Sequence, residues 1–292
     1  KLMKRIISPG ENDFEKPEED RRRMRRRRSF GDVQGNLESM ERNLHNSTFG
    51  ISSDPLCQLA IVFSALIHDV DHTGIPNAQL VKEETPLAVK YENKSVAEQN
   101  SVDIAWDILL EDRYQELRDC IFDNESERRR FRQLVVNSVM ATDIVDKELK
   151  TVRENRWAKA FDPSKVGSMS DTDVNRKATI VIDHIIQASD VAHTMQHWHI
   201  YCKWNEKLFC EMYSAYLSGR AEKDPSEGWY GGEIWFFDNY IIPLAKKLKD
   251  CGVFGVASDE YLNYAEENRK EWEVKGKSVV ASMLAGDQER HG

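Results

Sequence analysis

Residues 54–72 read DPLCQLAIVFSALIHDVDH, and the way this stretch ends decides how the rest is read. Asp54 followed by Pro55 is a helix start: an acceptor at the N-cap, then a ring whose φ is already helical. Leu59, Val62, Phe63 and Leu66 then recur at helical spacing, an apolar stripe. Leu59 to Ile67 is the longest clean apolar run in the chain, nine residues with one Ser. A bilayer span takes about 20 residues, so no membrane crossing is expected. The helix instead delivers His68, Asp69, Val70, Asp71 and His72 at its end. Burying imidazoles and carboxylates is costly unless they pair or bind a metal, and this donor set suits Zn, Mn, Fe or Mg. His68 and His72, four apart, are expected on one helix face with Asp69 beside them. The plainer alternative is a helix-end cap with surface histidines.

Further helical stretches are expected over about 78–91, 95–111, 126–149, 176–218, 231–249 and 258–285. No alternating run exceeds four residues and no Asn-Gly or Asp-Gly turn occurs. The expected fold class is all-α: one compact multi-helix domain over 51–286. Residues 1–50 are expected as a remnant helix (Lys1–Ile7) plus a charged mobile loop, and 287–292 as a tail. A second His/Asp cluster falls in an expected helix Ile180–Tyr201. There Ile185, Ala188, Ala192 and Met195 form a core stripe, and Ile186, Asp190, His193 and His197 lie on a neighbouring face. Asp190 is a candidate ligand or half of a buried ion pair; His184, His197 and His199 read as structural or surface residues.

The chain has 292 residues, 41 Lys/Arg against 50 Asp/Glu, and a net charge of −9. With 15 Gly and 8 Pro it is neither collagen-like nor linker-dominated. Residues 1–28 carry eleven basic and six acidic side chains, a balance of +5, which leaves −14 for the remainder. So acidic a body is a poor partner for phosphate backbones, and no nucleic-acid partner is expected. The run Arg21–Arg28, with Glu18, Glu19 and Asp20 beside it, reads as a solvated loop. Cys57, Cys120, Cys202, Cys210 and Cys251 are odd in number, widely spread and without a CxxC pair. They read as thiols in a reducing, cytoplasmic compartment. No signal peptide opens the chain, and its start at Lys1 suggests a piece of something longer. GxSxG, Walker A, GxGxxG and HExxH are all absent, so two His/Asp clusters on helices point to metal-assisted hydrolysis.

Six blocks then occur in a telling order: HDVDHTG (68–74), SVAEQN (95–100), ATD (141–143), ASDVAHT (188–194), KWNEKLFCEM (203–212) and FFDNYIIPL (236–244). In this order they resemble the class I 3′,5′-cyclic nucleotide phosphodiesterases, over most of that family's HD-type catalytic domain. The resemblance implies an all-helical fold and two divalent metals, Zn with Mg or Mn. It implies hydrolysis of cAMP or cGMP to the 5′-monophosphate by a hydroxide bridging the two metals. It also implies that His68, Asp69 and Asp190 ligate the tighter metal, with Asp69 bridging to the second. His72, Glu98, Thr142 and Asp143 would orient metal-bound waters, and Leu208 and Phe236 would sandwich the purine. A regulatory or membrane-tethered region upstream in the parent protein is implied as well.

The sequence departs from the family in two places that matter. The upstream HN-x-x-H motif, which supplies a further zinc ligand and the acid that protonates the leaving 3′ oxygen, is not found: His45-Asn46 is followed by Ser47, Thr48 and Phe49. These 292 residues are therefore expected to be impaired as they stand. Glu233 falls where the family has a purine-reading Gln. A carboxylate only accepts, which suits the two donors on the guanine edge, so cGMP is expected over cAMP. His193 stands where the family has an Asn lining the base pocket, and Asn100 and Ser101 where it has a His pair. Two alternatives are a general HD-type metal phosphohydrolase and an inactive cyclic-nucleotide-binding module.

Overall fold

Helix ends in this chain are fixed by short polar side chains. Asp54 accepts from the Cys57 amide at 3.0 Å and Pro55 opens the helix. Asn124 accepts from Glu127 N at 3.0 Å, and Asp146 from the amides of Glu148 and Leu149 at 2.8 and 3.0 Å. The structure, a computed structural model, describes residue 3 and residues 30–162, 170–255 and 259–291. Within them lie helices α1 (Phe30–Ser47), α2 (Pro55–Ile67), α3 (Asn77–Lys82), α4 (Pro86–Lys90), α5 (Val96–Leu110), α6 (Gln115–Ile121) and α7 (Glu125–Met140). There follow α8 (Lys147–Ala160), α9 (Asp171–Asp190), α10 (Trp198–Leu217), α11 (Trp229–Phe236), α12 (Ile242–Asp250) and α13 (Glu260–His291). No strand occurs among the described residues, as the all-α reading requires, and no described helix is long and apolar enough to cross a membrane.

Several boundaries differ from the sequence reading. Phe30–Ser47 is a helix where a loop was expected; its apolar residues at 30, 33, 37, 40 and 44 keep a three-four spacing that the neighbouring charge obscures. The stretch 78–91 breaks into two helices at Glu84, whose φ is +50°, just before the Thr85 cap and Pro86. The stretch 126–149 breaks where Asp143 and Asp146 take up backbone amides. The single helix expected over Ile180–Tyr201 stops at Asp190, passes through a 3₁₀ turn at Ala192–Met195, and restarts at Trp198. Asp190, His193 and His197 therefore do not share a helix face. The expected tail is helical through His291. The helix expected at Lys1–Ile7, apart from a buried Met3, the run Arg21–Arg28 and Gly292 lie outside the described residues.

By their internal contacts the described residues fall into two compact units. One runs to Ser189 and includes residues 251–255; the other holds Asp190–Asp250 and 259–291. The core of the first is built from α2, α5 and α7, through Ala60, Ile67, Val102, Trp106, Phe131 and Val135. The Phe131 ring meets Phe63 and Phe122, each at 5.7 Å. Of the apolar stripe only Phe63 packs against this core; Leu59, Val62 and Leu66 are 41%, 55% and 77% exposed, while Cys57, Ala60, Ile61, Ser64 and Ile67 are buried. A helix apolar on both sides gives periodicity nothing to choose between. In the second unit Tyr201, Phe209, Phe237, Ile241 and Trp272 are fully buried. There Gly276 is required by close approach, since a Cβ would lie 2.8 Å from the Trp272 ring.

Nine consecutive α9 residues, Ile180 to Ala188, are buried, and among them Asp183 pairs with Arg156 at 3.2 Å. Burial lifts the Asp183 carboxyl to about 6, with Arg156 and then Arg153 pulling it back down. The folded state thus holds this proton more tightly than the unfolded chain. The resulting stability is present below about pH 4 and lost as pH rises through about 6, a change of about 3 kcal/mol. Urea unfolding of the wild type and of Asp183→Asn, at about pH 4 and 7, should show the wild type losing that much relative to the variant. A constant difference between the two proteins would refute it.

Candidate active site

The first unit holds six of the sequence-predicted residues: His68, Asp69, His72, Glu98, Thr142 and Asp143. His68 is the C-cap of α2, and the chain then turns instead of continuing as helix: Val70 N bonds Ile67 O, His72 N bonds Asp69 O, and Asp71 has φ +63°. The HDVDH cluster is therefore a turn, which corrects the expected shared helix face of His68 and His72. Helix α5 pins that turn. Asn100 Nδ2 donates to Asp71 at 3.2 Å and Ser101 Oγ to the Val70 carbonyl at 2.8 Å.

His68 Nδ1 lies 3.1 Å from the Ala65 carbonyl. A carbonyl only accepts, so Nδ1 carries the proton. That leaves Nε2 as a lone pair 3.1 Å from Asp69 Oδ2. Two acceptors facing each other at this distance repel unless they share a cation, a proton or a metal ion. A histidine whose second nitrogen donates to a backbone carbonyl is also the usual support of a metal ligand. The donor chemistry of His68 and Asp69 thus fits a divalent metal. When a second proton sits on Nε2 the contact becomes a charge-assisted hydrogen bond, and that bond first, against burial and with the charges of His68 and His72, holds the Asp69 carboxyl below its ordinary range.

Glu98 sits in the first turn of α5. Burial raises its carboxyl, the bond from Asn77 Nδ2 at 2.8 Å opposes this, and Asp143 and His72 are close enough to be felt. Asp143 is itself buried. Its Oδ2 accepts from Ser95 Oγ at 2.7 Å, and its Oδ1 from the amides of Val145 and Asp146 at 3.2 and 3.1 Å. Ser95 adopts φ +37°, a left-handed backbone uncommon for any residue but Gly, and that conformation positions the hydroxyl. Thr142 turns its hydroxyl back onto the Val139 carbonyl at 2.7 Å. His72 Nδ1 accepts from Gly74 N at 3.1 Å, so its Nε2 carries the proton when the ring is neutral. His45 bonds Ser53 Oγ at 2.8 Å and lines a cavity of about 760 Å³ that includes none of these residues.

The second unit begins at Asp190, the last residue of α9. His193, in the 3₁₀ turn, lies parallel to the Tyr201 ring at 6.3 Å and 4°. Burial lowers its pKa against the pull of Asp190. Tyr201 is fully buried and donates its hydroxyl to Glu233 Oε2 at 2.7 Å. Burial raises the Glu233 carboxyl, and the Tyr201 bond opposes it. Leu208, expected to clamp a base, is 44% exposed on α10, with Trp204 and Met212 exposed one turn to either side. Phe236 ends α11 and stacks on Tyr240.

Sequence reasoning missed Ser95, Asn77 and Tyr201, and it noted Asn100 and Ser101 only as departures from the family, without their partners. Ser95, Asn100 and Ser101 lie inside or beside the SVAEQN block, but their partners are 29 to 48 residues away, so spacing gave no signal. None of the five cysteines is in a disulfide.

A family model described as 3′5′-cyclic nucleotide phosphodiesterase matches residues 37–252, a span that holds every candidate residue above. The mouse 3′,5′-cyclic-AMP phosphodiesterase 4C is 26% identical over 232 residues, 73% of this chain and 31% of that protein. The mouse dual specificity calcium/calmodulin-dependent 3′,5′-cyclic nucleotide phosphodiesterase 1C is 28% identical over 159 residues, 53% of this chain and 20% of that protein. The chain thus spans about a third or less of the length of these curated relatives. Among solved structures, the phosphodiesterase domain of Salpingoeca rosetta rhodopsin phosphodiesterase aligns with a TM-score of 0.62 at 21% identity. The alignment covers 82% of this chain and 74% of that one, and it shows the shared fold.

Proposed function

The chain belongs to the 3′5′-cyclic nucleotide phosphodiesterase family, and from that premise we propose that it carries the hydrolytic site for 3′,5′-cyclic nucleotides, opening the 3′ ester to give the 5′-monophosphate. The observation that carries the reading is the His68–Asp69 pair, two acceptor atoms 3.1 Å apart that call for a shared cation.

His68, Asp69 and Asp190 are the proposed protein ligands of the tighter metal, zinc, with magnesium or manganese as the second. When bound, such cations lower the pKa of a water and neutralise phosphate charge. The chain's own groups do the rest. Ser95 and two amides fix the Asp143 carboxylate, and Asn77 occupies one oxygen of Glu98, leaving the other to orient water. His72 keeps its Nε2 proton as a donor. Leu208 and Phe236 offer the apolar faces for a purine, and Glu233 reads its edge. The named relatives act on cAMP or on both nucleotides; Glu233 in its ionised form would favour cGMP here. A cytosolic location and an upstream regulatory or membrane-tethered region belong to the same proposal.

The test measures cGMP and cAMP hydrolysis beside metal content. Divalent cation should be retained after dialysis, turnover should vanish with chelator and return with metal, and Asp69→Asn should lower the metal bound per chain. Metal-free hydrolysis, or equal activity on simple phosphomonoesters, would favour a different or a general phosphohydrolase. Nucleotide binding with no metal and no turnover would leave only a binding module.

A further inference from the structure

Helix α11 does not pass smoothly into α12. Phe237–Ile241 between them is one turn of π-helix, an arrangement that often marks a functional site. Contacts from two directions hold it. Arg269 of α13 lays its guanidinium fork on Asp238, Nε to Oδ1 at 3.0 Å and Nη2 to Oδ2 at 3.2 Å. Asn239 Nδ2 donates to the Trp235 carbonyl at 2.8 Å. Across this turn the Phe236 and Tyr240 rings stack, with centroids 5.3 Å apart and planes 14° from parallel. In a regular α-helix position i+4 lies about 40° beyond position i. The extra residue of the π turn takes that rotation back and brings the two rings into register.

We propose that Tyr240 is a positioning residue for the substrate base. Its ring backs Phe236 and fixes the plane on which the purine stacks, while the Arg269–Asp238 fork keeps the π turn from relaxing. The proposal rests on Phe236 being a purine face. A half-exposed phenyl ring without support must give up its rotational freedom when a base binds, whereas one already stacked has lost it on folding. The contribution is therefore confined to the base and absent from the ribose phosphate.

Equilibrium binding to the 292-residue chain tests this with two probes: cGMP, and a ribose 3′,5′-cyclic phosphate lacking the base. Tyr240→Ala is expected to weaken cGMP about three- to tenfold, the worth of one aromatic stacking contact. Tyr240→Phe should bind within about twofold of the wild type, and the base-free probe should bind all three proteins alike. Phe236→Ala serves as the reference and should weaken cGMP at least as much. Wild-type cGMP affinity in Tyr240→Ala, with Phe236→Ala weakened, overturns the role of Tyr240 alone. Equal loss of both probes assigns Tyr240 to the fold and overturns it as well. Wild-type affinity in Phe236→Ala, or no preference of the unaltered chain for the probe with a base, overturns the purine-face reading itself and this proposal with it.

Discussion

Joined to a segment carrying HN-x-x-H, this chain is expected to hydrolyse cyclic nucleotide about 10²- to 10⁴-fold faster than its 292 residues alone, the usual contribution of a positioned general acid. The departing 3′ oxygen of a cyclic phosphate leaves as an alkoxide unless a proton meets it. Among the histidines near the cluster, His68 has its Nδ1 proton on the Ala65 carbonyl and its other nitrogen at Asp69. His45 is bonded to Ser53 beside a separate cavity. Only His72 retains a proton on a nitrogen not already assigned to a ligand role. The comparison is of kcat at saturating metal for the two proteins. If the shorter chain matches the longer one, His72 is the acid, and His72→Ala in the shorter chain should then abolish its turnover.

What the sequence could and could not convey follows from how far each interaction reaches. The helix starts at Pro55, Glu125 and Lys147 are set by caps one to three residues away. Of these, the Asp54–Pro55 start was legible. The interruptions at Glu84, at 141–146 and after Asp190 were not, because apolar periodicity resumes on the far side of each. That His68 and Asp69 bring donor atoms suited to a metal could be read from residue type and order, since imidazole and carboxylate at the end of an apolar helix are costly to bury unpaired. Their geometry was not: the turn at Asp71 depends on Asn100, 29 residues away, and Asp143 is held by Ser95, 48 residues away. Glu233 was singled out by register alone. Its partner Tyr201, 32 residues upstream, bears on what that carboxyl can do, and it stood unremarked as a partner two residues before a family block.

The ratio of kcat/KM for cGMP over cAMP should rise with pH, and Glu233→Gln should abolish that dependence. Burial raises the Glu233 carboxyl above its ordinary range, so at low pH it carries a proton and offers one donor and one acceptor, as an amide does. In that state both purine edges can be met. As pH rises through its pKa the group becomes acceptor-only. Tyr201 donates to Oε2, a bond that leaves Oε1 unused. Guanine then presents N1–H and the 2-amino group as two donors to the carboxylate. Adenine presents its N1 lone pair, and two acceptors face one another. A bidentate contact of this kind discriminates between bases by about 1–3 kcal/mol, so the ratio should climb toward about 10²-fold at the alkaline end. In Glu233→Gln it should stay near unity throughout. Tyr201→Phe sharpens the test, because removing a donor to the carboxylate raises its pKa further and should move the rise to higher pH. A ratio flat with pH in the unaltered chain would mean that Glu233 keeps one protonation state, and a ratio favouring cAMP at every pH would remove it from the base contact.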